Sequence, residues 1–76
     1  MFKKLKLRLS GDWFSADQYD ADKTWGVYHP WRVHDWGYGL TQAEAQSRVD
    51  RYNQALLNGE DVYALTNPQS SAILNP

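Results

Sequence analysis

All four tryptophans of this 76-residue chain lie between Trp13 and Trp36. Phe14, Tyr19, Tyr28 and Tyr38 crowd the same segment, interleaved with Asp12, Asp17, Asp20, Asp22 and Asp35. A chain of this length buries only about 60% of the surface its unfolded form exposes, which leaves little interior for four indoles. Part of the aromatic surface is therefore expected to face outward. Exposed Trp and Tyr beside carboxylates predict a contact face rather than a reaction centre.

The length fits one domain spanning 1–76. Cysteine is absent, so disulfides and thiolate chemistry are excluded, which fits a reducing compartment. The start, Met1 to Leu9, is basic like that of a signal peptide. No uninterrupted apolar run or small-residue cleavage site follows it, and nowhere are there the ~20 apolar residues of a membrane span. The expectation is a soluble cytoplasmic protein with no membrane partner. A net charge of −1 hides a separation along the chain. Lys3, Lys4, Lys6 and Arg8 come first, and Asp12, Asp17, Asp20 and Asp22 follow, offset by Lys23. Either group can be a solvated surface or a patch that meets a partner of opposite sign.

Leu5, Leu7 and Leu9 alternate with Lys4, Lys6 and Arg8, a period of two that predicts a half-buried first strand. Ser10-Gly11-Asp12 ends it. Residues 12–23 read as a long loop, a length at which loops are often functional. Thr24–His29 has strand chemistry and stops at Pro30. A further strand within Trp31–Tyr38 would complete a hairpin. The helix over about 41–58 is the clearest element. Thr41 and Glu44 form a capping box, and Leu40 can pack on Ala45 as a hydrophobic staple. Ala45, Val49, Tyr52 and Leu56 make one apolar stripe, and Asn58-Gly59 stops the helix. Asp61–Thr66 reads as a last strand. Residues 67–76 read as a tail that frays or clips Ile73 and Leu74 onto the core. The sum is an α+β fold: an antiparallel sheet of three to four strands, order β-β-β-α-β, with one helix on one face. Its other face would be open. Trp25 and one of Trp31 or Trp36 are expected to fill the sheet–helix interface.

Metal and catalytic readings find little support. Asp20, Asp22 and Thr24 alternate as in an EF-hand loop, but Trp25 stands where glycine is needed and Trp31 where the bidentate glutamate belongs. His29 and His34 would point to opposite faces of one strand. Serines lack a nucleophile-elbow context, glycine-rich phosphate loops are missing, and His34 and Asp35 are strand neighbours that point apart. No enzyme activity, cofactor or metal is expected.

The run Trp25-Gly26-Val27-Tyr28, then Gly39-Leu40-Thr41-Gln42-Ala43-Glu44-Ala45, then Asn53, resembles a pattern of small bacteriophage and mobile-element proteins. In those a strand hairpin leads through a Leu-Thr-x-x-Glu-Ala cap into a single helix. Small size, an acidic loop and no catalytic apparatus also resemble anti-CRISPR proteins and other phage-encoded inhibitors. The resemblance covers about half the chain and gives no residue a role. It implies an inhibitor that occupies the surface of a host defence complex, in the host cytoplasm.

These readings lead to a non-enzymatic binding module. Its contact face is expected to use Trp13, Phe14, Tyr19, Trp31 and Trp36, with Asp17, Asp20 and Asp22 meeting a basic protein surface. Five aspartates against Lys23 and Arg32 in that segment favour a protein over nucleic acid. Nucleic-acid binding through Lys3, Lys4, Lys6, Arg8 and exposed aromatics is the alternative, and a homodimer closing the aromatic face is a third reading.

Overall fold

The computed structural model describes residues 2–66. The fold is α+β, as expected, but its elements differ from the expected order. Helix α1 covers Phe2–Leu9, strands β1 and β2 cover Ser15–Gln18 and Trp25–Tyr28, and helix α2 covers Gln42–Leu57. A 3₁₀ helix follows at Val62–Thr66. Among the described residues the sheet has two antiparallel strands rather than three or four. Among the described residues no helix is long and apolar enough to cross a membrane. The expected tail at 67–76 lies outside the described residues.

The expected first strand is helix α1. Its alternation suits a strand, but Leu, Lys and Arg are strong helix formers and the segment holds no β-branched residue. Local propensity wins where no neighbouring strand is offered. The helix ends in a Schellman motif. Gly11, at φ +81°, donates to the Arg8 carbonyl at 3.1 Å, and Asp12 donates to the Leu7 carbonyl at 2.8 Å. That left-handed turn aims Asp12 back into the molecule.

The expected loop at 12–23 contains β1. Ser15 pairs with Tyr28 and Gln18 with Trp25. Tyr19 N–H donates to the Thr24 carbonyl at 2.8 Å, and Asp20–Lys23 make the turn. Asp22 accepts from the Thr24 amide at 3.1 Å and from its hydroxyl at 2.7 Å, so the carboxylate of the EF-hand-like run closes a turn. The far edge of β2 is partly paired. Trp25 and Leu40 exchange hydrogen bonds at 2.8 and 2.9 Å, and Val27 donates to the Gly37 carbonyl at 3.0 Å. These few bonds are all that replaces the expected strand within 31–38.

Helix α2 confirms its capping box: Thr41 Oγ1 accepts from the Glu44 amide at 3.1 Å, and the Glu44 carboxylate accepts from the Thr41 amide at 2.9 Å. Asn58 is the C-cap and Gly59 follows it. The expected stripe of Ala45, Val49, Tyr52 and Leu56 is buried, with Phe14, Val27, Trp36, Ala55 and Val62 completing the core. Phe14 stands at its centre, 4.8 Å from the Trp36 ring, edge to face, and 5.2 Å from Tyr52. Asn53 joins the helix to the sheet edge. Its Oδ1 accepts from the Phe14 amide at 2.8 Å and its Nδ2 donates to the Phe14 carbonyl at 3.1 Å. A side-chain amide thus does for Phe14 what a neighbouring strand would do.

Asp61–Thr66 curls into the 3₁₀ helix instead of adding a strand. The Asp61 carboxylate accepts from the Tyr63 amide at 3.0 Å, which starts a tight turn. Val62 is buried and Tyr63 lies 5.0 Å from Trp36.

Candidate contact face

The loop from His29 to Gly39 is positioned by a buried charged cluster. Asp12 Oδ1 accepts from His29 Nε2 at 2.9 Å and from Arg32 Nε at 2.7 Å, and its Oδ2 accepts from Arg32 Nη2 at 2.8 Å. His29 Nδ1 accepts from the amides of Trp31 and Arg32 at 3.1 and 2.9 Å. Those two donors fix the tautomer: Nδ1 carries no proton and Nε2–H points at Asp12. Backbone donors that a strand ladder would need are spent on the imidazole, which is why no strand forms after Pro30. Arg32 then accepts on its carbonyl from Trp36 Nε1 at 2.9 Å, and this carries Trp36 into the core.

The cluster is electrostatically closed. The bidentate Arg32 guanidinium holds the Asp12 carboxyl below its usual range against the opposing effect of burial. Burial pushes the His29 imidazole down, opposed by Asp12. The pair resembles the way an acid orients a catalytic imidazole, but both ring nitrogens are engaged and the His29 side chain is wholly buried. It has no access to a substrate. His34 faces elsewhere, with its Nε2 2.7 Å from the Thr66 hydroxyl. Among the described residues no three His, Asp or Glu side chains stand close enough to hold a metal ion. A groove of about 630 Å³ runs past Asp35, Tyr38, Arg48, Arg51, Tyr52 and Thr66. Arg48 and Tyr52 of this groove both donate to the Trp36 carbonyl, at 3.5 and 3.3 Å, and no acid–base pair forms in the groove among the described residues.

The predicted contact residues separate into core and surface. Phe14 and Trp36, at 1% and 3% exposure, are interior residues and cannot serve as a docking face. The reason is size: the only large apolar surface on α2 needs aromatic rings opposite it, and these two supply them. Trp13 packs against the core, with Lys4 Nζ 5.5 Å above its ring. Trp25 is half-buried against the same core. Trp31 is exposed, under the Arg32 guanidinium at 4.9 Å, with its Nε1 donating to the Ser10 carbonyl at 3.2 Å. Tyr19, Asp17, Asp20 and Asp22 are exposed. Lys3, Lys4, Lys6 and Arg8 lie on α1 instead of a strand.

What remains outside is a tyrosine face on the hairpin. Ala16 and Val27 point to the core, so Ser15, Asp17, Gly26 and Tyr28 share the outer side. Tyr19 folds back across Gly26, where an added β-carbon would stand 2.7 Å from its ring. Glycine is needed there because the tyrosine ring occupies the space of any side chain. Tyr38, on the segment bonded to β2, lies 5.1 Å from Tyr19 ring to ring. Tyr19, Tyr28 and Tyr38 are all exposed. Asp17 stands opposite Gly26 on this face, and Asp20 and Asp22 are exposed in its turn. None of these three carboxylates forms an ion pair among the described residues. Tyr28 and Tyr38 were not among the predicted contacts. Strand alternation between Val27 and Tyr28 carried the signal for the first, and nothing local carried it for the second.

No protein-family model, curated protein or solved structure matches this chain.

Proposed function

We propose that this chain is a small non-enzymatic protein-binding module that engages a basic protein surface through the outer face of its hairpin. One observation carries the reading: three exposed tyrosines, two in ring contact, share a face with Asp17 beside a turn holding Asp20 and Asp22. Tyrosine gives rigid contact area at low entropic cost, and unpaired carboxylates choose a partner by charge. The hairpin is braced by Asn53 on one edge and by Gly37 and Leu40 on the other, so the face is held before any partner arrives.

The resemblance to phage-encoded inhibitors extends this proposal to a target. Carboxylates in the Asp17–Asp22 stretch suit a basic channel where a host defence complex would otherwise hold nucleic acid. Direct nucleic-acid binding has less support, because Lys3, Lys4, Lys6 and Arg8 stand on the helix α1 rather than on a strand beside the aromatics.

The test is affinity capture from host lysate with wild type, Tyr28→Ala, Tyr38→Ala and the double variant Asp17→Asn/Asp20→Asn. These positions are exposed, so folding should persist by circular dichroism. A basic protein held by wild type should be lost or weakened about tenfold or more by either tyrosine change. The aspartate variant should bind more slowly and with less salt dependence. Equal capture by all four proteins would sink the proposal.

A further inference from the structure

Helix α1 is apolar on the side turned away from the protein. Leu7 packs against the core, Lys4 covers Trp13, and Lys3 Nζ lies 3.8 Å from where a β-carbon on Gly59 would stand. These three contacts define the inner side. At about 100° per residue, Phe2, Leu5 and Leu9 fall on the arc diametrically opposite, bordered on one side by Lys6 and on the other by Arg8. Phe2, Leu5 and Leu9 are 72%, 55% and 78% exposed. The helix carries four cations and no carboxylate. Among the described residues, this outward strip of large apolar side chains between cations packs against no part of the core.

We propose that this outer face of α1 docks onto an anionic lipid membrane. The apolar strip would enter the boundary between headgroups and acyl chains, while the Lys6 and Arg8 stems lie along it and carry their charges up to lipid phosphates. Trp31, exposed and hydrogen-bonded to Ser10 just past the helix, is an indole of the kind that settles at such an interface. A second copy is the poorer occupant, since two such strips face to face would press Lys6 and Arg8 against their own equivalents. Nucleic acid would satisfy the cations and leave Phe2, Leu5 and Leu9 in water. The sequence implied no membrane partner because no stretch is apolar and long enough to span one, and it assigned the leucines separately to a buried strand face. Turning that strand into a helix moves Leu5 and Leu9 outside. One short helix provides weak, reversible association rather than a permanent anchor.

The test is co-sedimentation of the full chain with vesicles of equal parts phosphatidylcholine and phosphatidylglycerol, with phosphatidylcholine vesicles alone for comparison. Binding to the mixed vesicles is expected to be tighter by about tenfold or more and to weaken with salt. Leu5→Gln/Leu9→Gln should reduce it by a similar factor with the melting temperature unchanged, because both side chains already face water and glutamine keeps the helix propensity. Lys6→Gln/Arg8→Gln provides an independent arm that leaves the apolar strip intact and should erase the preference for anionic lipid. Absence of binding to the mixed vesicles overturns the proposal. So does unchanged binding after the leucine substitutions, or equal binding to soluble polyglutamate or duplex DNA.

Discussion

Replacing Asn53 with alanine removes both hydrogen bonds that tie α2 to the start of β1. The amide of Phe14 loses an acceptor at 2.8 Å and its carbonyl loses a donor at 3.1 Å. Phe14 is almost completely buried, so water does not readily replace either partner. An unmet buried backbone group costs about 1–3 kcal/mol, so two of them together with the small void should cost roughly 2–6 kcal/mol. The whole stability of a domain of this size is only about 4–11 kcal/mol. The loss should lower the melting temperature by roughly 10–40 °C. Thermal unfolding followed by circular dichroism reads this directly, with Gln54→Ala, an exposed neighbour on the same helix, as the reference. A shift for Asn53→Ala no larger than that of the reference would refute the reasoning, because it would mean that the sheet edge is held by something else.

Trp36→Ala should cost about 3–5 kcal/mol by opening the core beneath the loop, so lost partner capture by this variant would report unfolding rather than a missing contact. Chemical denaturation separates the two: a midpoint like that of wild type would contradict the burial. Gly26→Ala should force Tyr19 off the hairpin, since its ring stands 2.7 Å from the new β-carbon and the Gly37 carbonyl only 3.1 Å. A stability loss of about 1–3 kcal/mol with weaker capture is expected, and unaltered tyrosine ring shifts in an NMR spectrum would count against it. The buried cluster also sets a pH dependence. His29 stays neutral in the fold below its ordinary 6.5, so the unfolded chain binds the extra proton there. Stability should be full above that pH and decline as pH falls below it, with Asp12, lowered from 3.8, adding a further loss in stronger acid. A melting temperature unchanged from about pH 8 to about pH 5 would oppose this assignment.

Helix α2 was legible because its signals are local. A capping box, an apolar stripe and Asn58-Gly59 all fall within one turn of the positions they control. The sheet was not, for two physical reasons. Leu5, Leu7 and Leu9 show strand alternation, yet their residue types favour a helix and only Leu7 is needed by the core. The segment after Pro30 looks extended, yet its amides go to His29, which is held by Asp12 seventeen residues upstream. Asp12 read as one more acid in a charged run. Its burial follows from the turn at Gly11 and from Arg32, neither of which a composition argument can join to it.

Part of the aromatic surface faces outward, as expected, but the exposed rings are not all the ones named. Phe14 and Trp36 looked like contact residues because they sit among aspartates. The apolar side of α2 claimed them, and Tyr19, Tyr28 and Tyr38 stayed outside. Within the hairpin and its flanks, Phe14 and Trp36 are buried while Tyr19, Tyr28 and Tyr38 are displayed, the order that side-chain polarity favours when they compete for a small interior.

The central claim is that the hairpin's outer face is where a partner lands. Hydrogen–deuterium exchange of this chain, free and bound to a captured basic protein, tests it most directly. Protection gained over Ser15–Tyr28 and at Tyr38, with α2 unchanged, is the predicted footprint. Protection gained on α2 while the hairpin exchanges as in the free protein would contradict the account.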